Sequence, residues 1–196
     1  MIETLLEWDT KLLLWINSFH HPALDPIVYL SSQTWFWIPL YIFLLWLVVR
    51  DYQKKSWIVL VAIVLTLTIT DQLTSSIMKP MFERLRPSHE PALAGALHFV
   101  RDLSGEVYLG GLYGFASSHA ANTFGTATFF VLLMRNSRRW IYWLYLWATL
   151  MTCTRIYMGV HYPGDILTGA CIGAGAGWLG VVLCRWGVAR AKMRRV

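Results

Sequence analysis

Apolar runs close to 20 residues long recur along this chain, and no other feature limits its fold as strongly. A run of ~20 apolar residues is what an α-helix needs to cross a bilayer. In hydrocarbon every backbone N–H and C=O must be satisfied within the segment or a closed barrel. The runs therefore predict helices over about 27–49, 57–78, 118–134, 140–160 and 164–186. The fold class expected is all-α: a polytopic membrane helix bundle with about five transmembrane helices. The composition agrees, with 56% hydrophobic and 14% charged residues, against roughly 25% charged in soluble chains. A length of 196 residues predicts one domain, 1–196.

Residues 1–19 are apolar but interrupted by Glu3, Glu7, Asp9 and Lys11, with a helical stripe of Leu5, Leu6, Leu12, Leu13, Trp15 and Ile16. This pattern predicts an amphipathic helix lying in the membrane interface. The start is acidic rather than basic, so no cleavable leader is expected. Gly169, Gly173 and Gly177 repeat every four residues in the last run, a small-residue stripe for close helix packing. Cys153, Cys171 and Cys184 lie in apolar runs without metal-ligand spacing and are expected to be packing residues. Asp71 lies inside the second run, where it either pairs with an arginine or lines a wet cavity.

The net charge of +6 first suggests nucleic acid. Its placement says otherwise. Most Lys and Arg residues fall in three patches: Arg50, Lys54 and Lys55; Arg135, Arg138 and Arg139; and Arg185, Arg190, Lys192, Arg194 and Arg195. They follow alternate runs, as the positive-inside rule requires of one cytoplasmic side. The last patch reads as an anchor on anionic lipid, and no nucleic-acid partner is expected. With those patches inside, the long polar segment 79–116 lies outside. A short helix is expected around 92–100, with Leu93, Leu97, Phe99, Val100, Leu109 and Leu112 packing the segment down.

Three polar clusters then converge on the outer face. The first holds Lys79, Arg84 and Arg86. Fixed cations on that side run against the positive-inside bias, and phosphate binding explains them most simply. The second, Ala116-Ser117-Ser118-His119, opens the third run. Its serines either cap the helix or, with the helix N-terminus, hold an anion. The third runs from Arg155 to Asp165, with His161 ending a turn and Asp165 in the first turn of the next helix. This stretch is either a polar turn or a nucleophile or base with its orienting acid. Two histidines permit a division of labour in which one attacks phosphorus and the other protonates the leaving oxygen.

These residues carry a resemblance. Lys79, six residues, Arg86-Pro87; Ala116-Ser-Ser-His119; and Thr154-Arg155, five residues, His161, three residues, Asp165 resemble the three-part signature of the type-2 phosphatidic acid phosphatase superfamily. The signature covers 79–165. Its second part usually reads Pro-Ser-Gly-His, and here Ala116 and Ser118 stand for Pro and Gly. The resemblance implies His161 as the nucleophile, Asp165 as its orienting acid and His119 as the acid that protonates the leaving oxygen and then activates water. It implies Lys79, Arg86, Ser117, Ser118 and Arg155 as the phosphate-binding set, with Arg84 outside it. No cofactor and no metal are expected, since the cations do what Mg²⁺ does elsewhere. The implied activity is hydrolysis of a lipid phosphate or diphosphate at the outer face of a bacterial cytoplasmic (inner) membrane. Undecaprenyl pyrophosphate is the favoured substrate; phosphatidylglycerol phosphate, phosphatidic acid and lipid A phosphates are the alternatives. A non-catalytic lipid-binding or translocating protein is the alternative of another class, against which His119, His161 and Asp165 argue. A channel would need a polar stripe through the whole depth, and only Asp71 lies deep.

Overall fold

A computed structural model describes residues 2–193, with the side chains of 192 and 193 left aside. The described residues form helices and loops, with two isolated β-bridges and no strand. The helices are α1 (Ile2–Asn17), α2 (Asp25–Ser32), α3 (Ile38–Tyr52), α4 (Ser56–Asp71), the short α5 (Lys79–Phe82), α6 (Ser118–Met134), α7 (Trp143–Tyr157) and α8 (Pro163–Met193). Two helical stretches, Thr34–Phe82 and Pro163–Ala191, are long and apolar enough to cross a membrane. The first doubles back at Gln53, whose φ is 45°, so it holds two antiparallel legs. Arg194 and Arg195 of the basic tail lie outside the described residues.

The first apolar run is not one helix. It breaks at Gln33, which is extended (ψ 136°), and passes through a 3-10 turn, Thr34–Trp37, into α3. Pro39 is the reason. It lacks an N–H, and its ring collides with the carbonyl four residues back in a continuous helix, so it is tolerated only in a first turn. The second run continues beyond α4 as a π-helical segment, Gln72–Met78. The fourth begins as a 3-10 turn, Arg139–Tyr142.

Helices α6 and α8 form the centre of the bundle, and glycine sets their spacing. A Cβ at Gly177 would lie 2.6 Å from the Gly125 carbonyl oxygen, and one at Gly173 would run into the Ala121 carbonyl. The apolar core around them draws Leu44, Leu47 and Val48 from α3, Val59 from α4, Phe129 and Val131 from α6, Leu144 and Trp147 from α7, and Val181 from α8. Cys184 is buried in this core, whereas Cys153 and Cys171 are exposed on the bundle's outer surface rather than packed inside. At one end Arg138 donates to both carboxylate oxygens of Asp51, joining the first two basic loops.

Helix α1 lies against the opposite end. Leu13 packs with Leu93, Ala120, Ile156, Tyr162 and Ile166, while Ile2, Leu5, Trp8 and Trp15 are exposed. Asn17 ties its C-terminal end down: Nδ2 donates to the carbonyls of His98 (2.9 Å) and Tyr157 (2.7 Å), and Oδ1 accepts from the His98 N–H (2.8 Å). The long polar segment has no helix over 92–100. A 3-10 turn covers only Pro91–Leu93, and the chain then turns through Gly95 at φ 80°. Leu93 and Val100 pack inward, but Leu109 and Leu112 stay exposed.

Candidate active site

The site lies where α6 and α8 begin and α7 ends. Pro163 opens α8, its fixed φ suiting a first helical turn, and Asp165 follows within that turn. The turn before it places His161 so that Nδ1 lies 3.2 Å from Asp165 Oδ2. The second oxygen of Asp165, Oδ1, accepts from Arg84 at 2.9 Å. On the far side of the ring, Arg86 Nη1 lies 3.1 Å from His161 Nε2. A guanidinium has only donors, so Nε2 is the acceptor and Nδ1–H donates to Asp165. His161 is therefore neutral, with its reactive lone pair on Nε2. Burial, and then the charges of Arg86, Arg155, Lys79 and Arg84, push its pKa well below 6.5.

Arg86 is held by the loop. Its Nε donates to the Tyr113 carbonyl at 3.2 Å, and Nη1 also reaches the Val160 carbonyl at 3.3 Å. Burial and the neighbouring Arg155 charge lower its pKa to about 10, which leaves it cationic at neutral pH. Arg155, near the end of α7, is 1% exposed. Its Nη2 donates to the Tyr108 hydroxyl at 3.0 Å, while Nε and Nη1 have no hydrogen-bond partner among the described residues. It makes no ion pair with Asp71.

The start of α6 is settled by short contacts. Ser117 caps the helix, its Oγ accepting from the Ala120 N–H at 3.4 Å, and its own N–H donates to the Asp165 carbonyl at 3.0 Å. Ser118 turns its hydroxyl to the π-helical segment, where it meets Lys79 Nζ, Thr74 Oγ1 and Ser75 Oγ, each at 2.9 Å. The serine in the usual glycine position thus anchors the lysine. The N–H groups of Ser118 and His119 open the helix and have no intrahelical carbonyl. The His119 ring makes no hydrogen bond among the described residues and lines a cavity of about 350 Å³.

The structure thus brings Lys79, Arg86, Ser117, Ser118, His119, Arg155, His161 and Asp165 together. Arg84, read from the sequence as a cation outside the signature, has a structural task, and the roles of Asp9 and Tyr108 escaped the sequence reading. Arg84 bridges Asp165 and Asp9 (Nη2 to Oδ2, 2.7 Å) and lies 4.0 Å over the Tyr162 ring. Asp9 also accepts from the Gly164 N–H at 2.7 Å, so α1 clamps the start of α8. Tyr108 supports Arg155. An acid inside an apolar N-terminal helix was the only signal for Asp9, and its partners lie 75 and 155 residues away. Among the described residues no three His, Cys, Asp or Glu side chains are grouped to hold a metal ion.

Among the described residues Arg84 is the one basic residue in the cluster engaged in ion pairs with carboxylates; Lys79, Arg86 and Arg155 have none. Buried charge without a counter-ion is costly, so this is a place built for a multiply charged anion beside a neutral imidazole. A helical membrane bundle with such a site belongs among the phosphate-handling membrane enzymes. The chain belongs to the PAP2 superfamily, whose profile matches residues 55–188, and it is a phosphoric ester hydrolase. It is 40% identical over 182 residues to a lipid A 4'-phosphatase of Bacteroides thetaiotaomicron, covering 91% of this chain and 78% of that protein. It is 37% identical over 174 residues to a lipid A 4'-phosphatase of Porphyromonas gingivalis, covering 88% of this chain and 71% of that one. Among solved structures it resembles Aquifex aeolicus LpxE, with TM-score 0.58, 28% identity and coverage of 88% and 93% of the two chains. A PAP2-type phosphatidylglycerolphosphate phosphatase of Bacillus subtilis shares the fold, with TM-score 0.66, 18% identity and coverage of 90% and 84%.

Proposed function

We propose that this integral membrane lipid phosphatase removes a phosphate monoester from a lipid A-type glycolipid at the outer face of the inner membrane. Lipid A is an acylated, phosphorylated glucosamine disaccharide. The relatives named as lipid A 4'-phosphatases support this substrate over undecaprenyl pyrophosphate. The whole chain acts as one domain, with five membrane-crossing legs and α1 in the interface. The observation that carries the phosphatase chemistry is the set Lys79, Arg86 and Arg155, without carboxylate partners, around a neutral His161.

In this reading the phosphoryl oxygens take up the free donors of Arg155, the Lys79 ammonium and the N–H groups at the start of α6, with Ser117 and Ser118 shaping that helix start. Arg86 Nη1 swings from His161 Nε2 to a phosphoryl oxygen, which frees the lone pair. Nε2 then attacks phosphorus as the bond to the lipid oxygen breaks, and His119, which takes up a proton once the bound phosphoryl dianion offsets the charges of Arg155, Arg86 and Lys79, gives that proton to the oxygen. Asp165 holds Nδ1–H and stabilises the charge that develops on the ring. In the second step His119 takes a proton from water, the hydroxide attacks phosphorus, and the P–N bond breaks to release phosphate.

Phosphate release by detergent-solubilised protein in EDTA tests the reading. Lipid A phosphate, undecaprenyl pyrophosphate, phosphatidylglycerol phosphate and phosphatidic acid are offered in parallel, with His161→Ala as control. Release from lipid A phosphate, lost in the variant, is expected. Preferential release from another lipid would replace the substrate, and undiminished turnover by His161→Ala would remove the nucleophile.

A further inference from the structure

Beside His119 opens a cavity of about 350 Å³ between α3, α4, α6 and α7, and three of its polar residues, Asp71, Asn122 and Tyr41, are unused by the phosphate chemistry. Asp71 on α4 accepts from Ser75 Oγ at 3.2 Å through Oδ1, while Oδ2 has no partner among the described residues. Asn122, one turn below Ser118 on α6, meets the Thr70 hydroxyl through Oδ1 at 2.5 Å, which leaves its NH₂ for the cavity. The Tyr41 hydroxyl on α3 has no hydrogen-bond partner among the described residues and lines the same space. Thr126 adds a further hydroxyl, though its hydrogen is committed to the Asn122 carbonyl at 2.8 Å.

Leu67, Met151 and the Tyr41 ring give the cavity apolar walls, against which an alkyl chain or the face of a sugar ring could lie, so its polar groups must decide between them. A tail would leave the half-buried Asn122 amide and Tyr41 hydroxyl without partners, and would make no use of the exposed Asp71 carboxylate beside them. A charged side chain at this depth in an apolar helix marks a functional position by default. Acceptor, donor and phenol around a small space instead suit a ring carrying hydroxyl and amide groups. Position decides which ring. The cavity shares His119 and Ser118 with the phosphate site, and His119 is the group that meets the leaving oxygen. Whatever carries that oxygen must sit here.

We propose that Asp71, Asn122 and Tyr41 form a leaving-group subsite that binds the glycosyl ring of the substrate and selects sugar-linked over alkyl-linked phosphates. The subsite rests on the glycolipid reading above and specifies how the bundle recognises it. Asp71 Oδ2 accepts from a ring hydroxyl, the Asn122 amide donates to a ring or acyl-amide oxygen, and the Tyr41 hydroxyl completes the set. The ring sits with its phosphorylated oxygen towards His119, and the acyl chains leave sideways between helices.

Inhibition of lipid A phosphate hydrolysis tests this, using two product-like probes. Inorganic phosphate reads the cation cluster, and the dephosphorylated glycolipid reads the leaving-group side. In Asp71→Asn and Asn122→Leu the half-inhibitory concentration of the glycolipid, divided by that of phosphate, is expected to rise at least tenfold. Tyr41→Phe removes one oxygen with little risk to folding and is expected to raise the ratio severalfold. A ratio that stays fixed in folded Tyr41→Phe and Asn122→Leu overturns the subsite. So do equal rises for both probes, because a role confined to positioning Lys79 through Ser75 and Ser118 would move them together. A wild-type enzyme inactive on the glycolipid but active on phosphatidic acid overturns the substrate reading, and the subsite with it.

Discussion

Arg155 shows the cost of function most plainly. It is buried at the end of an apolar helix, and two of its nitrogens make no hydrogen bond among the described residues. Buried unpaired charge destabilises a fold, and functional sites often store such a cost. Arg155→Met is therefore expected to melt at or above the wild-type temperature in detergent, while kcat/KM falls on the order of 10²–10³-fold. Vanadate, a phosphate mimic, should raise the wild-type melting temperature, corresponding to ~2.7 kcal/mol at 100 times its Kd, and leave the variant unmoved. A variant that melts far lower than wild type would show that Arg155 is a structural group. His161 supplies a pH dependence. Its folded pKa lies below the ordinary 6.5, so in that window the unfolded chain binds the extra proton. Stability is present above about 6.5 and is lost as pH falls through the folded value. Melts between pH 7.5 and 5 should show this decline, and His161→Gln should flatten it. Which residues gather at the site could be read from the signature, because each of its three parts keeps its own internal spacing. The state of each could not. That Ser118 grips Lys79, or that Arg86 covers Nε2, depends on approaches between segments 39 and 75 residues apart.

Among the elements, α8 and α1 do the positioning. The glycine stripe of α8 was legible as a repeat of small residues, and its neighbour, α6, was not. Gly173 lies against the Ala121 backbone, whereas a Cβ at Gly175 meets nothing within 4 Å. Gly173→Ala should therefore cost about 1–3 kcal/mol through overpacking and reduce turnover by moving His119 away from His161. Gly175→Ala should be neutral or stabilise by about 0.5–1 kcal/mol. Equal melting temperatures for the two would contradict the packing. Helix α1 was legible as amphipathic, but its apolar stripe hid its second task. Asp9 holds both Arg84 and the Gly164 N–H, and so fixes the carboxylate behind His161 from outside. Asp9→Asn keeps an acceptor for Gly164 and loses the charge facing Arg84. It should cost about 1–3 kcal/mol and lower kcat severalfold, with Asp9→Ala worse on both counts. The break before α3 was missed for the opposite reason. The hydropathy of that run is continuous, and the single Pro39 that interrupts it carries no hydropathy signal.

At the scale of the molecule, the two ends of the bundle carry different chemistry. One end gathers Arg50, Lys54, Lys55 and Arg138, with Asp51 bridging to Arg138. The other gathers the phosphate site, roofed by the 79–116 segment and α1. Alternating placement of basic loops could be read from sequence, since it needs only the order of the runs. The fold of the roof could not, because its polar residues carry no period and its shape follows from tertiary hydrogen bonds such as those of Asn17. The proposed orientation makes a direct demand. A lipid headgroup in the outer leaflet reaches the site only if the 79–116 segment faces outward, and the positive-inside rule then puts Asn136, between the basic residues of the second loop, in the cytoplasm. In a background with Cys153, Cys171 and Cys184 replaced by Ala, Leu103→Cys and Asn136→Cys each place one thiol at an exposed position at opposite ends. A membrane-impermeant maleimide applied to intact spheroplasts should label the first at once and the second only after lysis. The reverse pattern would put the cation cluster in the cytoplasm, where basic residues at a membrane surface need no substrate to explain them. In that case the outer-leaflet assignment would fall, even if the phosphatase chemistry stood.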